Sequence, residues 1–524
     1  MVNSNFYYRF TPIYNYGGKW EERKEVWAKG YAFLASGELI SGVELAEYIH
    51  DILSRPDYLN LVKELNGRYV AVGVTGATPF ILTDRIRSFP VFYTIATGEV
   101  NISDRALFLQ DHNLKIDKIA WQQFLASGFA WDDRTLFEEI KQAEPSHIIF
   151  FHKNGVQKIK YFRYSTDSVK LVSMLQAREE LEKVLENVMN RTLRVIGERP
   201  VAVPLTGGYD SRFLATWLKK NNVADVTFFT CGLPESPEFI NARKVAGKLE
   251  IRWVPVYHDK KNLEEVFTTI PQLQEYIDFS SNASSMSYFQ EIPSMHKLGL
   301  SKNAIIIGGH FGGFVAGSRL LLFQNLMNKR LLFHSAFHKF FPYFHGNKQD
   351  KRLLQQSLAS RFDNENGMLL YSIIEEVDFK ERQSKFIGNS CRTYDFFAGG
   401  TVLPFCDNEL VDFFKFLPFQ LKLNKKLYKS VLKNHYFEHF DLNFKEELQP
   451  SDFDIIKQSV KFVLPFVLQD LLSNGKMIDY CNYSEIRKYL SPQSNLAIKE
   501  IRCPNQLIID WQLQYLKFLV KEND

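Results

Sequence analysis

The chain of 524 residues has little of what marks a secreted, membrane or metal protein. Its five cysteines, Cys231, Cys391, Cys406, Cys481 and Cys503, are scattered, odd in number and without a CxxC pair, which excludes a disulfide framework and fits a reducing compartment. No apolar run reaches the ~18 residues that span a bilayer. Met1 to Tyr8 lacks a basic stretch followed by an apolar core, so a cytoplasmic location without a membrane partner is expected. The twelve histidines form no HExxH or similar cluster, which speaks against a zinc centre held by protein alone. Charge of one sign is missing too: 64 basic and 60 acidic residues are interspersed to a net +4, so no nucleic-acid partner is implied. The pairs Lys219-Lys220, Lys260-Lys261 and Lys425-Lys426 read as solvated helix ends or loops. There is no internal repeat and no low-complexity tract.

What is present is enough apolar material for more than one core. The chain is too long for a single ordinary domain, its hydrophobic content is 45%, and its 45 Phe and 24 Tyr suit large packed interiors rather than base stacking. Residues 60–105 alternate as a β-meander through Gly67-Arg-Tyr-Val-Ala-Val-Gly-Val, Phe80-Ile-Leu, Phe89-Pro-Val-Phe-Tyr and Val100-Asn-Ile-Ser. His147 to His152 and Val156 to Phe162 extend this sheet-rich part, and polar Ser165-Thr-Asp-Ser168 reads as a linker. From Met174 to Val195 the apolar period is helical. Strand-like Val226 to Thr230, helical Glu238 to Leu249, strand-like Ile251 to Val256 and strand-like Ala304 to Gly309 then alternate, which predicts a parallel, doubly wound sheet. The remainder from about 320 is mostly helical, with breaks at Pro404, Pro418, Pro450 and Pro492.

One stretch carries chemistry. Pro200-Val-Ala-Val-Pro-Leu-Thr-Gly-Gly-Tyr-Asp-Ser-Arg212 reads as a buried strand, a glycine turn and a helix. Val201, Val203 and Leu205 have strand spacing, Gly207-Gly208 let backbone N–H groups face an anion, and the helix from about Asp210 points its positive end there. The turn lacks the lysine of GxxxxGK[ST] and the third glycine of GxGxxG. It resembles the SGGxDS pyrophosphate loop of the ATP pyrophosphatases, with Thr206 in place of the first serine and Asp210 and Ser211 kept.

Other segments resemble the asparagine synthetase family in the same order. They are Phe228 to Ala246 with Gly232 at the strand end, Ile306-Ile-Gly-Gly-His-Phe-Gly-Gly-Phe-Val-Ala-Gly-Ser at the place of GxGxDExxxG, Arg392 followed by Leu403-Pro-Phe-Cys-Asp407, and Lys429-Ser-Val-Leu-Lys433. Earlier, Leu65-Asn-Gly-Arg-Tyr, Thr83-Asp-Arg-Ile-Arg-Ser-Phe-Pro-Val-Phe-Tyr and Thr135-Leu-Phe-Glu-Glu-Ile with Glu144-Pro are similar to the class II glutamine amidotransferase domain that precedes such synthetases. The resemblance implies an α/β protein with an N-terminal β-rich sandwich of the N-terminal-nucleophile type over 1–165. A doubly wound parallel-sheet ATP pyrophosphatase domain follows over 170–440, then a helical extension over 441–524.

It further implies ATP and Mg²⁺ as cofactors, with small-molecule carboxylate and amine substrates. ATP and pyrophosphate would meet Leu205, Thr206, Gly207, Gly208, Asp210, Ser211, Gly232 and Gly308. Asp210 would hold the metal, Lys429 would face the reacting phosphate, and Arg392 would clamp a carboxylate or phosphate. Each has a plainer alternative: Asp210 as a helix cap, Lys429 and Lys433 as a wet helix face, Arg392 as a structural ion pair, His310 as a loop histidine with its hydrogen bond satisfied, Cys406 as a core residue. The departures are as specific. Val2 stands where the glutaminase needs a cysteine whose α-amino group is its base, so glutamine hydrolysis is expected to be absent. A metal-binding aspartate falls on Gly312 or Gly313, and a glutamate near Gly400. Three readings follow: an ATP-dependent amide-forming enzyme that uses ammonia or an amine, asparagine synthesis itself, or a non-catalytic nucleotide-binding protein.

Overall fold

A computed structural model describes residues 7–96, 98–109, 114–363, 367–444, 479–490 and 504–521. Val2 and Cys503 lie outside the described residues, as does much of the expected extension beyond 441.

The first part is built from β1 Tyr7–Thr11, β2 Glu21–Arg23, β3 Val26–Phe33, β4 Leu39–Ser41, β5 Asn66–Thr75, β6 Thr78–Thr83, β7 Phe92–Ala96, β8 Glu99–Ser103, β9 Lys141–Gln142, β10 His147–His152 and β11 Gly155–Lys160. They form two sheets, one in the order β1-β8-β7-β9, the other β11-β10-β6-β5-β3-β2 with β4 on β3. Period-two alternation sorts their side chains. Val70, Val72, Ile81, Ile149 and Phe151 of the larger sheet meet Tyr93, Val100 and Ile102 of the smaller in one core, so the sheets form a sandwich. The intervening residues Ala71, Phe80, Leu82 and Ile148 face the other way and are covered by Leu45, Ile49, Ile52 and Val62 from the helices Gly42–Leu53 and Tyr58–Glu64.

The second part opens with the helix Met174–Ile196, whose start is fixed by a capping box between Ser173 and Gln176 and whose buried face includes Leu181, Val184, Leu185 and Val188. Then come β12 Val201–Pro204, β13 Val226–Gly232, β14 Trp253–Tyr257, β15 Ile305–Ile307 and β16 Gly400–Val402. Their order is β14-β13-β12-β15-β16 and every neighbouring pair is parallel. The fold is α/β, with the parallel sheet the sequence predicts. The chain runs outward from β12 on one side and returns to add β15 on the other, so the order reverses between β12 and β15, the place where open α/β sheets bind ligands at their carboxyl ends.

The polar stretch Ser165-Thr-Asp-Ser168 is only half exposed: Asp167 and Ser168 face solvent, while Ser165 and Thr166 are buried, the Thr166 N–H donates to Ser372 Oγ at 3.1 Å, and its carbonyl accepts from Leu369 N–H at 2.9 Å. Polar composition here marks a hydrogen-bonded seam. The described helices near the C-terminus, Tyr483–Leu490 and Pro504–Lys521, pack on the rest of the chain, where Tyr483, Ile486 and Trp511 share a core with Tyr276 and Phe289. Among the described residues no helix is long and apolar enough to cross a membrane.

Candidate functional site

The glycine turn leaves β12 at the reversal point. Leu205 is buried and its N–H donates to Phe229 O at 2.7 Å, which ties the start of the turn to β13. Gly207 has φ +72°, and a Cβ there would stand 2.5 Å from Asn241 Cβ, because the helix Pro237–Leu249 packs directly against the turn. The turn is braced from within. Thr206 N–H donates to Ser211 Oγ at 3.2 Å, Gly208 N–H to Thr206 Oγ1 at 3.3 Å, and Arg212 Nη2 to Gly207 O at 2.5 Å. Ser211 therefore shapes the turn as well as facing it. The helix Tyr209–Lys220 begins at Gly208 with no side chain capping it, so its positive end is presented at the turn.

Asp210 is not the cap of this helix, since Gly208 holds that position. Its Oδ1 accepts from Tyr428 OH at 2.9 Å. Burial raises its pKa, an effect that Lys425, the Tyr428 hydroxyl and the Gly313 N–H oppose. A Cβ on Gly312 would lie 2.7 Å from both Asp210 Cγ and Oδ1, and one on Gly313 would lie 3.6 Å from Oδ2. Asp210 thus leans into the room that a side chain at 312 would fill, which explains glycine there. The expected metal role of Asp210 does not fit this donor set. One carboxylate, with Oδ1 already accepting from Tyr428 and a lysine charge acting on it, is a poor seat for a divalent ion that takes oxygen ligands only.

Cations gather on the other rim. The Lys425, Lys429 and Lys433 ammonium groups stand 5.3, 5.9 and 5.9 Å from the centroid of the Tyr209 ring, within cation–π reach. Lys425 has φ +60° and precedes the helix Lys426–Val431. Lys425 and Lys433 are half-buried and lie within reach of the Tyr209 ring. The spacing of four was the only sequence signal for the set; the convergence on Tyr209, and the role of Tyr428, come from tertiary packing.

The other expected residues divide. The Gly308 N–H donates to Val402 O at 2.9 Å, and a Cβ on Gly308 would be 2.9 Å from His310 Nδ1, so Gly308 lines the turn after β15 beside Gly309, whose Cβ would lie 3.5 Å from Ser211 N. His310 Nδ1 is buried without a hydrogen-bond partner, and burial lowers the imidazole pKa to about 4, so the expected satisfied loop histidine is instead a neutral ring with an orphan nitrogen. Cys406 packs only partly buried at the rim of the core. Gly232, expected beside a nucleotide base, has the Tyr480 carbonyl 3.1 Å from where its Cβ would be. That carbonyl accepts from Leu233 N–H at 2.9 Å, and Cys481 O lies 2.8 Å from His258 Nδ1, so the C-terminal segment covers the end of β13. Arg392 is 4% exposed, donates from Nε and Nη2 to Phe279 O at 3.1 and 2.8 Å, and lies 3.7 Å over the Phe279 ring. It is committed to the packing around Phe279 and is not brought to the glycine turn.

The glycine turn thus stands at the reversal point of a parallel sheet, with three lysine ammonium groups near the ring of Tyr209 that follows it. Residues 180–296 match the family model described as asparagine synthase. The matched asparagine synthase segment contains β12, the turn, β13 and β14. The chain is also similar to asparagine synthetase [glutamine-hydrolyzing] 1 of Bacillus subtilis, 26% identical over 223 residues, covering 41% of this chain and 33% of that protein. The match spans about a third of that relative's length. Among solved structures, an NH3-dependent NAD synthetase of Campylobacter jejuni overlaps 42% of this chain and 96% of its own at 14% identity and a TM-score of 0.21. A glutamine phosphoribosylpyrophosphate amidotransferase of B. subtilis overlaps 58% of this chain and 59% of its own at 9% identity and a TM-score of 0.18. Overlaps this loose place no residue.

Proposed function

We propose that this protein is an ATP-dependent carbon–nitrogen ligase of the asparagine synthase kind that works without glutamine. The observation that supports it best is convergence on one spot: the Gly207-Gly208 turn, an uncapped helix start and three lysines. In the reaction, a substrate carboxylate oxygen attacks the α-phosphorus of ATP, the bond to the β-phosphate breaks and pyrophosphate leaves. An amine or ammonia nitrogen then attacks the acyl carbon of the adenylate and releases AMP. The protein's share is positioning and charge. Backbone N–H groups of the turn hold the leaving pyrophosphate, Lys429 offsets charge that builds at the α-phosphate, and Asp210 fixes Tyr428 at the rim. Asparagine formation from aspartate and ammonia is a narrower case of the same chemistry.

Labelled pyrophosphate should exchange into ATP when the correct acid is supplied from a panel. Lys429→Ala and Asp210→Ala should each lower that exchange at least ~100-fold, the effect of losing about 3 kcal/mol of preorganised stabilisation. The replacement of acidic positions by Gly312 or Gly313 and by glycine near 400 favours a second reading, a nucleotide-binding protein without turnover. Wild-type protein that binds ATP yet exchanges no pyrophosphate with any acid would establish that second reading instead.

Val2 motivates a separate expectation: purified protein forms no glutamate from glutamine. Glutamate release above a boiled control would show that a nucleophile other than the usual cysteine operates.

A further inference from the structure

The site has glycine where a metal-holding acid is expected, and amines gather nearby. Lys425, Lys429 and Lys433 stand four residues apart and surround one aromatic ring, that of Tyr209, the first residue of the uncapped helix. Near them is a carboxylate, Asp210, whose Oδ1 accepts a hydrogen bond from Tyr428. The position facing it is Gly312, and any side chain there would strike Asp210 where it now lies. A protein-held Mg²⁺ needs one or two carboxylates that are free to accept it, together with phosphate and water oxygens. Here one oxygen of the carboxylate is engaged, the second acid is replaced by glycine, and the charge that acts on Asp210 is the Lys425 cation. Countercharge for a phosphate chain is therefore available from amines on this rim.

We infer that the site takes a polyphosphate chain, of a nucleoside triphosphate or of free polyphosphate, as the metal-free anion, with Lys425 and Lys433 serving beside Lys429 as its counterions. This rests on the reading above that phosphates lie at residues 206–211. It has a definite sign. Mg²⁺ removes two negative charges from ATP in solution, so it weakens attraction to a lysine cluster, whereas a site that requires the metal gains affinity when Mg²⁺ is added. The covered end of β13 agrees with a site that grips phosphates more than the base.

The test is calorimetric titration of the full-length protein with ATP, and separately with inorganic tripolyphosphate, in EDTA and in excess Mg²⁺. ATP should bind in EDTA, and Mg²⁺ should weaken it by roughly 3-fold or more, with a steep loss of affinity as salt rises. The double variant Lys425→Ala with Lys433→Ala should bind at least ~10-fold more weakly in EDTA, while Lys425→Arg with Lys433→Arg keeps most of the affinity. Matching circular dichroism and urea midpoints for the two double variants separate lost charge from lost fold. Tripolyphosphate binding as tightly as ATP supports the inference with free polyphosphate as the ligand class; much tighter ATP binding supports it with a nucleoside triphosphate. Binding of ATP that appears only when Mg²⁺ is added overturns the inference and leaves the nucleotide reading standing. An alanine double variant that is folded and binds like wild type in EDTA also overturns it. Absence of binding by either anion, with and without Mg²⁺, removes both the inference and the reading beneath it.

Discussion

Gly207→Ala should abolish ATP binding and destabilise the α/β part by roughly 2–5 kcal/mol. The estimate combines a left-handed backbone at a residue with a Cβ, about 1–2 kcal/mol, with overpacking of about 1–3 kcal/mol. Both causes are visible at the turn: φ is +72°, and the new methyl would stand 2.5 Å from Asn241 Cβ and 3.0 Å from Ala242 N. These are atoms of a packed helix, so the turn must move instead, and moving it breaks the brace from Arg212 to Gly207 O. Gly208→Ala is the matched control. Its φ is −67°, and its nearest obstacle is Thr206 Oγ1 at 3.3 Å, so the loss should be small. Urea unfolding and ATP titration of the two variants read out the contrast. Wild-type affinity in Gly207→Ala would mean that ATP binds somewhere other than this turn.

A comparable effect is expected far from the turn, where the β-rich and α/β parts meet. Asp395→Ala should cost about 3–5 kcal/mol in stability, the range for removing one partner of a buried ion pair. Arg68 of β5 donates from Nη2 to Asp395 Oδ2 at 3.1 Å, and the two side chains are 6% and 2% exposed. Arg68 Nη1 donates to the Thr401 carbonyl on β16, so the guanidinium ties both parts together. Asp395 is also the largest favourable charge on Arg392, whose pKa burial lowers to about 10. Without Asp395, two buried guanidinium groups lose their nearest countercharge. Arg68→Met with Asp395→Leu replaces both partners by apolar groups and should recover much of the loss. Denaturant midpoints of the single and double variants decide the matter: a loss under about 1 kcal/mol in Asp395→Ala would mean that the pair is solvated in solution.

The sequence made the frame legible where periodicity was clean. The alternation from Gly67, the helical stretch from Met174 with its capping box, and the strands at Val226 and Ala304 all stand where their patterns put them, because each buries one well-defined face. The short strand β16 was illegible: Gly400-Thr-Val carries no period, and it exists only because β15 offers it a parallel partner. The strands before residue 60 likewise have mixed exposure, with no repeating face to read. The turn could be read because its glycines and Asp210 are local. Lys425 and Tyr428 could not, since their value depends on where a helix more than two hundred residues later lands. Arg392 was misjudged for the same reason: motif spacing placed it, but the Phe279 carbonyl and ring claimed it.

The pairing of Ile305 with Gly400 also bears on how the chain is assembled. Synthesis delivers β12 to β15 well before β16, and during that interval β15 is an open sheet edge made of Ile305, Ile306 and Ile307. An apolar parallel edge with unsatisfied backbone groups invites pairing with another nascent chain. The glycine turn is therefore formed early, while the wall opposite it closes late, after residue 402 has emerged. Translation that stalls between these points would release a chain with its ligand turn built and its sticky edge still bare.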